Sequence, residues 1–118
     1  ALTTDTFFID TIAVCNEGSY SNAEIFSHAY KTLGIGKLVG IPTNGSVIST
    51  GGKSLMDGSF VRLPLRGWYT KATDKNQELG PAIPDIIVEN NPDWISKGTD
   101  DQLKKAVETL LQDISAKK

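Results

Sequence analysis

The stretch Asn16-Glu17-Gly18-Ser19-Tyr20-Ser21-Asn22-Ala23-Glu24 decides how this chain is read. The apolar run from Phe7 to Val14 leads into it, and Ala23, Phe26, Ala29, Tyr30 and Leu33 recur after it at helical spacing. Ser21 is thereby set on a turn between a strand and the amino end of a helix. Backbone N–H groups and the helix dipole at such a place stabilise an oxyanion. The residues Ser21-Asn22-Ala23-Glu24 also spell a capping box, in which the serine bonds the Glu24 N–H and the glutamate reaches back. The local pattern leaves both readings open, nucleophile or cap.

Outward from this motif the elements alternate. Residues 8–15 read as a mostly buried strand, residues 22–33 as a helix ended by Gly34, and residues 37–41 as a second strand stopped by Pro42. That order predicts a right-handed crossover with parallel pairing. Asn44-Gly45 and Gly51-Gly52 punctuate residues 46–50. Asp57-Gly58 predicts a hairpin turn between Ser54-Leu55-Met56 and the alternating run from Ser59 to Leu65. Lys71 to Gln77 is polar and aperiodic, an exposed loop, and Ile86-Ile87-Val88 is a short strand in a proline-rich section. Thr99-Asp100-Asp101-Gln102 reads as a second capping box. The helix it opens carries Leu103, Ala106, Val107, Leu110, Leu111 and Ile114 on the face expected to pack on the domain. No repeat or low-complexity linker divides residues 1–118, so a single α/β domain is expected.

Composition narrows the function classes. The chain is 39% hydrophobic with a formal net charge of −2, and it has no basic stripe of the kind that binds nucleic acid. No apolar run is long enough to cross a bilayer, and no signal peptide opens the sequence; both exported and cytoplasmic settings fit. Cys15, the lone cysteine, reads as a small buried hydrophobe, and no Cys/His pairing resembles a metal site; neither metal nor cofactor is expected. His28 lies two helical turns after Ser21, about 10 Å of rise, so it cannot take the Ser21 proton and reads as a structural or surface residue. Phe60, Trp68 and Tyr69 read as core aromatics in preference to a cleft lining. Arg62 and Arg66 read as a solvated face in preference to a carboxylate fork, and Trp94 as an anchor for the loop before the last helix. The residues alone thus offer a nucleophile without its base.

The string from Asn16 to Phe26, followed by Lys37-Leu38-Val39-Gly40-Ile41-Pro42-Thr43-Asn44-Gly45, resembles the tricorn-type and C-terminal-processing serine peptidases. In that family a Ser-x-x-Glu or Ser-x-x-Asp turn opens a helix, and a strand ending in Gly-x-x-Thr-x-Gly follows. Leu55-Met56-Asp57-Gly58, Pro84-Asp85-Ile86 and Gly98-Thr99-Asp100-Asp101-Gln102-Leu103 continue the match in register, over nearly the whole chain. The resemblance implies a crotonase-like fold: a βαβ core, a β-hairpin section and a packed C-terminal helix. It implies Ser21 as nucleophile and the Asn22 N–H as one oxyanion donor. The second donor, a glycine, falls in an earlier segment absent here.

The processing branch takes its general base from a lysine after the Thr-x-Gly turn, where this chain has Ser46, which cannot act as a base at neutral pH. The tricorn branch uses a histidine from an earlier segment, with a glutamate upstream of the Pro-Asp motif. Glu78, six residues before Pro84, falls on that glutamate, although the family's Glu-Asn-x-Gly is here Glu78-Leu79-Gly80-Pro81. Its role would be to polarise a hydroxyl that orients the histidine; a solvated loop carboxylate is the plainer reading. The expectation is a peptidase acting on peptide or protein substrates, inactive without the earlier half of its core, and able to associate with that half or with further copies. The alternatives are a non-catalytic peptide-binding module on the same fold and, last, an acyl-group enzyme of the wider crotonase class.

Overall fold

The computed structural model describes residues 9–117, so Phe7 and Phe8 at the front of the apolar run lie outside the described residues. Strand β1 (Ile12–Cys15), helix α1 (Asn22–Thr32) and strand β2 (Lys37–Gly40) form a βαβ unit. β1 and β2 pair in parallel, with Ala13 beside Leu38 and Cys15 beside Gly40. The described part of the first strand is shorter than expected, because residues 9–11 do not pair. Strand β7 (Ile86–Ile87) adds to the other side of β2, also in parallel, giving the order β1-β2-β7.

β2 is the buried centre. Leu38 and Val39 are both 0% exposed, and successive strand residues face opposite ways, so both faces of β2 are covered. Leu38 packs with Cys15 and Ala82, and Ala13 lies against them. Asp85 locks the neighbouring strands: it accepts from the Leu38 N–H at 2.9 Å, and its own N–H donates to the Leu38 carbonyl at 2.8 Å. The Pro84-Asp85-Ile86 motif therefore has a structural role, which Lys31 extends to α1 at 3.1 Å from the Asp85 carboxylate.

The helices bury faces that periodicity selected only in part: Tyr30 and Ala106 lie inward as expected, and most of the other stripe residues do not. In α1 the buried residues are Glu24, Ser27 and Tyr30, while Ala23, Phe26, Ala29 and Leu33 are exposed. Helix α3 (Asp101–Ala116) contacts β1 and β2, as expected, but it buries Gln102, Ala106 and Thr109. Leu103, Val107 and Leu111 face outward, Leu111 at 59% exposure. Its cap also shifts by one residue. Asp100, not Thr99, accepts from the Leu103 N–H at 2.9 Å, and Gln102 donates to the Val88 carbonyl at 2.9 Å instead of closing a capping box. Helix α2 (Trp94–Lys97), ended by Gly98 in the left-handed region, precedes it and was not anticipated.

Between β2 and β7 the chain forms two hairpins. The first pairs β3 (Ser49–Ser54) with β4 (Phe60–Arg66) around Asp57-Gly58, with the Leu55 N–H on the Ser59 carbonyl at 2.8 Å. Gly51 and Gly52, expected to interrupt, lie inside β3. The ring of Phe60 and the side chain of Leu65 lie over them, and any Cβ would stand 1.9 Å from Phe60 and 2.2 Å from Leu65. Every residue of β4 is exposed. The second pairs β5 (Tyr69–Thr70) with β6 (Lys75–Asn76), so part of the expected loop is a small exposed hairpin. Phe60, Trp68 and Tyr69 are exposed, contrary to the core assignment: β4 is exposed along its whole length, and Trp68 and Tyr69 meet α1 only across an open cleft. The accessible surface is 8739 Å², against about 6,200 Å² for a compact monomer of this mass.

Candidate active site

The approach to Ser21 is a tight loop. The Asn16 side chain accepts from the Gly18 N–H at 2.9 Å, the Ser19 N–H closes on the Asn16 carbonyl at 2.9 Å, and the Ser19 hydroxyl accepts from the Asn16 N–H at 3.2 Å. The chain then enters α1 through Ser21 at φ 53 and ψ −118. A positive φ is disfavoured for any residue with a Cβ and persists only where surrounding bonds fix it. Three bonds are evident. The Ser21 N–H donates to the Ser46 carbonyl at 2.9 Å, and the Ser21 carbonyl accepts the Glu24 and Ile25 N–H groups at 3.0 Å each.

Ser21 thus holds the N-cap position through its backbone while its hydroxyl makes no capping bond. The capping-box reading fails on its other half as well. Glu24 does not reach back; it is 0% exposed and points into the turn of residues 43–48. There it accepts from Thr43 Oγ1 at 2.6 Å, the Gly45 N–H at 2.5 Å and the Ser46 N–H at 2.6 Å. The helix begins at Asn22, whose N–H meets no acceptor among the described residues.

Glu78 reaches the same turn from another side. Its Oε2 accepts from the Val47 and Ile48 N–H groups, both at 2.7 Å, so it is no freely solvated loop carboxylate. Its Oε1 takes no donor among the described residues. Ser21 and Glu78 are therefore joined through one short segment, with Ser46 bonded to the first and Val47 and Ile48 to the second. The turn leaves β2 through Gly40 at φ 131, where a Cβ would stand 1.9 Å from the Cys15 carbonyl oxygen. Only glycine lets the Gly-x-x-Thr-x-Gly segment pass so close to the strand that leads to Ser21.

The remaining candidates fall into structural places. His28 Nε2 bonds the Gly80 carbonyl at 2.9 Å, donating, and so helps hold the Glu78 loop on α1. Ser46 Oγ donates to Asn44 Oδ1 at 2.5 Å. Cys15 is buried, which pushes its thiol up to about 11 despite the opposing charge of Lys31; such a thiol is a poor nucleophile. Arg62 donates to Thr50 Oγ1 at 2.6 Å across the hairpin and lies on a solvated strand. No group of three or more His, Cys, Asp or Glu residues capable of holding a metal occurs among the described residues. No helix among them is long and apolar enough to cross a membrane. Sequence reasoning missed Glu24 and Thr43 as partners. A glutamate at the third helical position fits a capping box equally well, and only the nearness of the 43–48 turn separates the two.

Residues 5–88 match peptidase family S41. The chain is 32% identical over 104 residues to the tricorn protease of Thermoplasma volcanium, covering 87% of this chain and 10% of that protein. It is 34% identical over 101 residues to tricorn protease homolog 1 of Streptomyces coelicolor, covering 85% and 10%. It is 31% identical to a putative tricorn-like protease C-terminal subunit of Sulfurisphaera tokodaii, covering 90% and 12%. The chain therefore spans about a tenth of the length of these relatives. A crystal structure of the tricorn protease superposes with a TM-score of 0.82 at 31% identity, covering 90% of this chain and 10% of that one. The photosystem II D1 C-terminal processing protease shares the fold, with a TM-score of 0.61 at 23% identity over 70% of this chain and 21% of that one. The chain belongs to peptidase family S41, the tricorn-type and C-terminal-processing serine peptidases.

Proposed function

We propose that this chain contributes the nucleophile to a serine peptidase of tricorn type, with the general base supplied from outside the segment. The conformation of Ser21 carries this reading: a strained backbone at a helix N-terminus with a hydroxyl that caps nothing. A serine serving only as a cap has no need of that strain, because extended backbone serves a cap well. Ser21 Oγ attacks the carbonyl carbon of the scissile peptide bond as its proton passes to the base. The developing oxyanion is met by the Asn22 N–H and by a second donor from the earlier part of the core. The base then protonates the departing amine, and water repeats the sequence on the acyl-serine. Glu78 Oε1 accepts a hydrogen bond from the hydroxyl that orients the base, while Oε2 stays on its two backbone donors.

The βαβ unit with its hairpins and packed last helix fits the crotonase-like arrangement, and residues 1–118 fit the latter part of such a core. The exposed apolar surfaces of β4 and α3 suit contact with the remainder of the core or with further copies. A relative named as a C-terminal subunit is in keeping with a core divided between chains. Metal and cofactor have no part in this mechanism. The test is peptide cleavage by this chain co-expressed with the polypeptide that precedes it, against the chain alone. Cleavage by the complex and not by the isolated chain, abolished by Ser21→Ala, is expected. Cleavage by the isolated chain that Ser21→Ala abolishes would place the base within these residues. A folded complex without cleavage would favour a peptide-binding module.

A further inference from the structure

Four successive backbone N–H groups, those of Gly45, Ser46, Val47 and Ile48, end on two carboxylates, the first two on Glu24 and the last two on Glu78. Glu24 also takes the Thr43 hydroxyl, which in turn accepts the Ala82 N–H at 2.8 Å. The Ser46 carbonyl, at the middle of this run, is the acceptor for the Ser21 N–H. A residue three positions along the helix from Ser21 thus grips the segment that holds Ser21 in its strained conformation. Three bonds to one buried carboxylate fix its position and make it costly to replace. Plain helix packing does not ask for a carboxylate at this place; a buried apolar side chain would serve it.

We propose that Glu24 is a positioning residue for Ser21: it holds the 43–48 turn so that the Ser46 carbonyl keeps Ser21 at positive φ, with its hydroxyl free of any capping bond at the head of α1. The proposal rests on Ser21 being the nucleophile. Glu24 does not touch substrate. Its effect runs through one turn and one hydrogen bond, so it belongs to the chemical step and not to substrate binding.

Two measurements on Glu24→Gln separate this proposal from the reading beneath it. The amide keeps the size of the side chain but replaces one of its two acceptor oxygens with an NH2, in a site that presents three donors. In the isolated chain, NMR shifts of Ser21 Cα and Cβ report its backbone conformation, and the Gly45 and Ser46 amide protons report the bonds to the carboxylate. Glu24→Gln is expected to move all of them while the shifts of α3 stay in place. In the complex with the preceding polypeptide, inactivation by a fluorophosphonate is expected to fall about 100-fold in kinact, the scale of a ~1 Å misplacement, with KI within about twofold. Unmoved Ser21 shifts, or a kinact within about threefold of wild type, would overturn the positioning role. A wild-type complex that does not react at all would overturn the nucleophile itself, whatever the NMR shows. Should Glu24→Gln not fold, Thr43→Val removes one donor and keeps the carboxylate: a fall of about tenfold in kinact is expected, restored by Thr43→Ser, and no fall would count against the proposal.

Discussion

In the turn of residues 43–48, Thr43, Gly45 and Val47 are buried and four N–H groups in a row are held by glutamates. One residue further on, the β3–β4 hairpin turns nearly every side chain to solvent, Leu65 at 71% exposure. The two stretches are continuous in sequence, yet they are built for different ends. The turn spends buried polar groups on position, which is worthwhile only where a backbone must be held to a fraction of an ångström. The hairpin carries apolar side chains on both faces without covering them, and its cross-strand bonds are its main support. A two-stranded hairpin of this kind is marginal by itself. Strain sits beside the first stretch, at Ser21, and is absent from the strands of the second.

That contrast can be broken by substitution. Glu24→Leu, which leaves the buried Thr43 hydroxyl and Gly45 N–H, and the Ser46 N–H beside them, without their acceptor, is expected to cost about 3–5 kcal/mol in chemical denaturation. A cost under about 1 kcal/mol would mean that the turn holds itself. Leu38→Ala, at the fully buried centre of the sheet, is expected to cost about 3 kcal/mol through transfer and cavity terms. At the other extreme, Leu65→Ser on the hairpin is expected to change the stability of the isolated chain by less than about 0.5 kcal/mol. A large loss there would show that the hairpin is part of the folding core.

Between these lies a pH effect at Asp85. Burial alone would raise its pKa, but the Leu38 N–H and the Lys31 ammonium outweigh burial and hold the carboxyl below its ordinary 3.8. A depressed native pKa gives stability that is present above the unfolded value and lost as pH falls through the native one. Denaturation midpoints of the wild type should therefore drop on passing below about pH 4, and Asp85→Asn should flatten that part of the drop. An unchanged acid limb in Asp85→Asn would remove Asp85 from the strand junction's energetics. The group is partly exposed, so this is a smaller effect than either core substitution.

The legible parts of the fold are those set by local chemistry. Asn22 and Gly34 bracket α1 because a serine turn opens it and a left-handed glycine follows it. Asp57-Gly58 gives the hairpin turn, since Gly58 takes the positive φ and Asp57 binds the Ser59 N–H at 3.0 Å. Parallel pairing of residues 12–15 with 37–40 follows from a strand, a helix and a strand in succession. Burial was less legible. Periodicity marks which face of a helix is apolar and not what covers it, so Phe26 and Leu111 were assigned inward and lie outward. Ser21 was legible as a candidate from its address, whereas its conformation was not, because positive φ there depends on Ser46, twenty-five residues away. Glu78 was placed by family register alone. Its two backbone bonds arise from loop closure that no local pattern encodes.

The most direct test of Ser21 is the site of covalent capture. The chain, assembled with the polypeptide that precedes it, is treated with a fluorophosphonate, digested and mapped by tandem mass spectrometry. The expected result is a single adduct on Ser21, absent from Ser21→Ala and retained in His28→Ala and Ser46→Ala. An adduct on another residue of the assembly, or a folded assembly that carries none, would contradict Ser21 as the nucleophile.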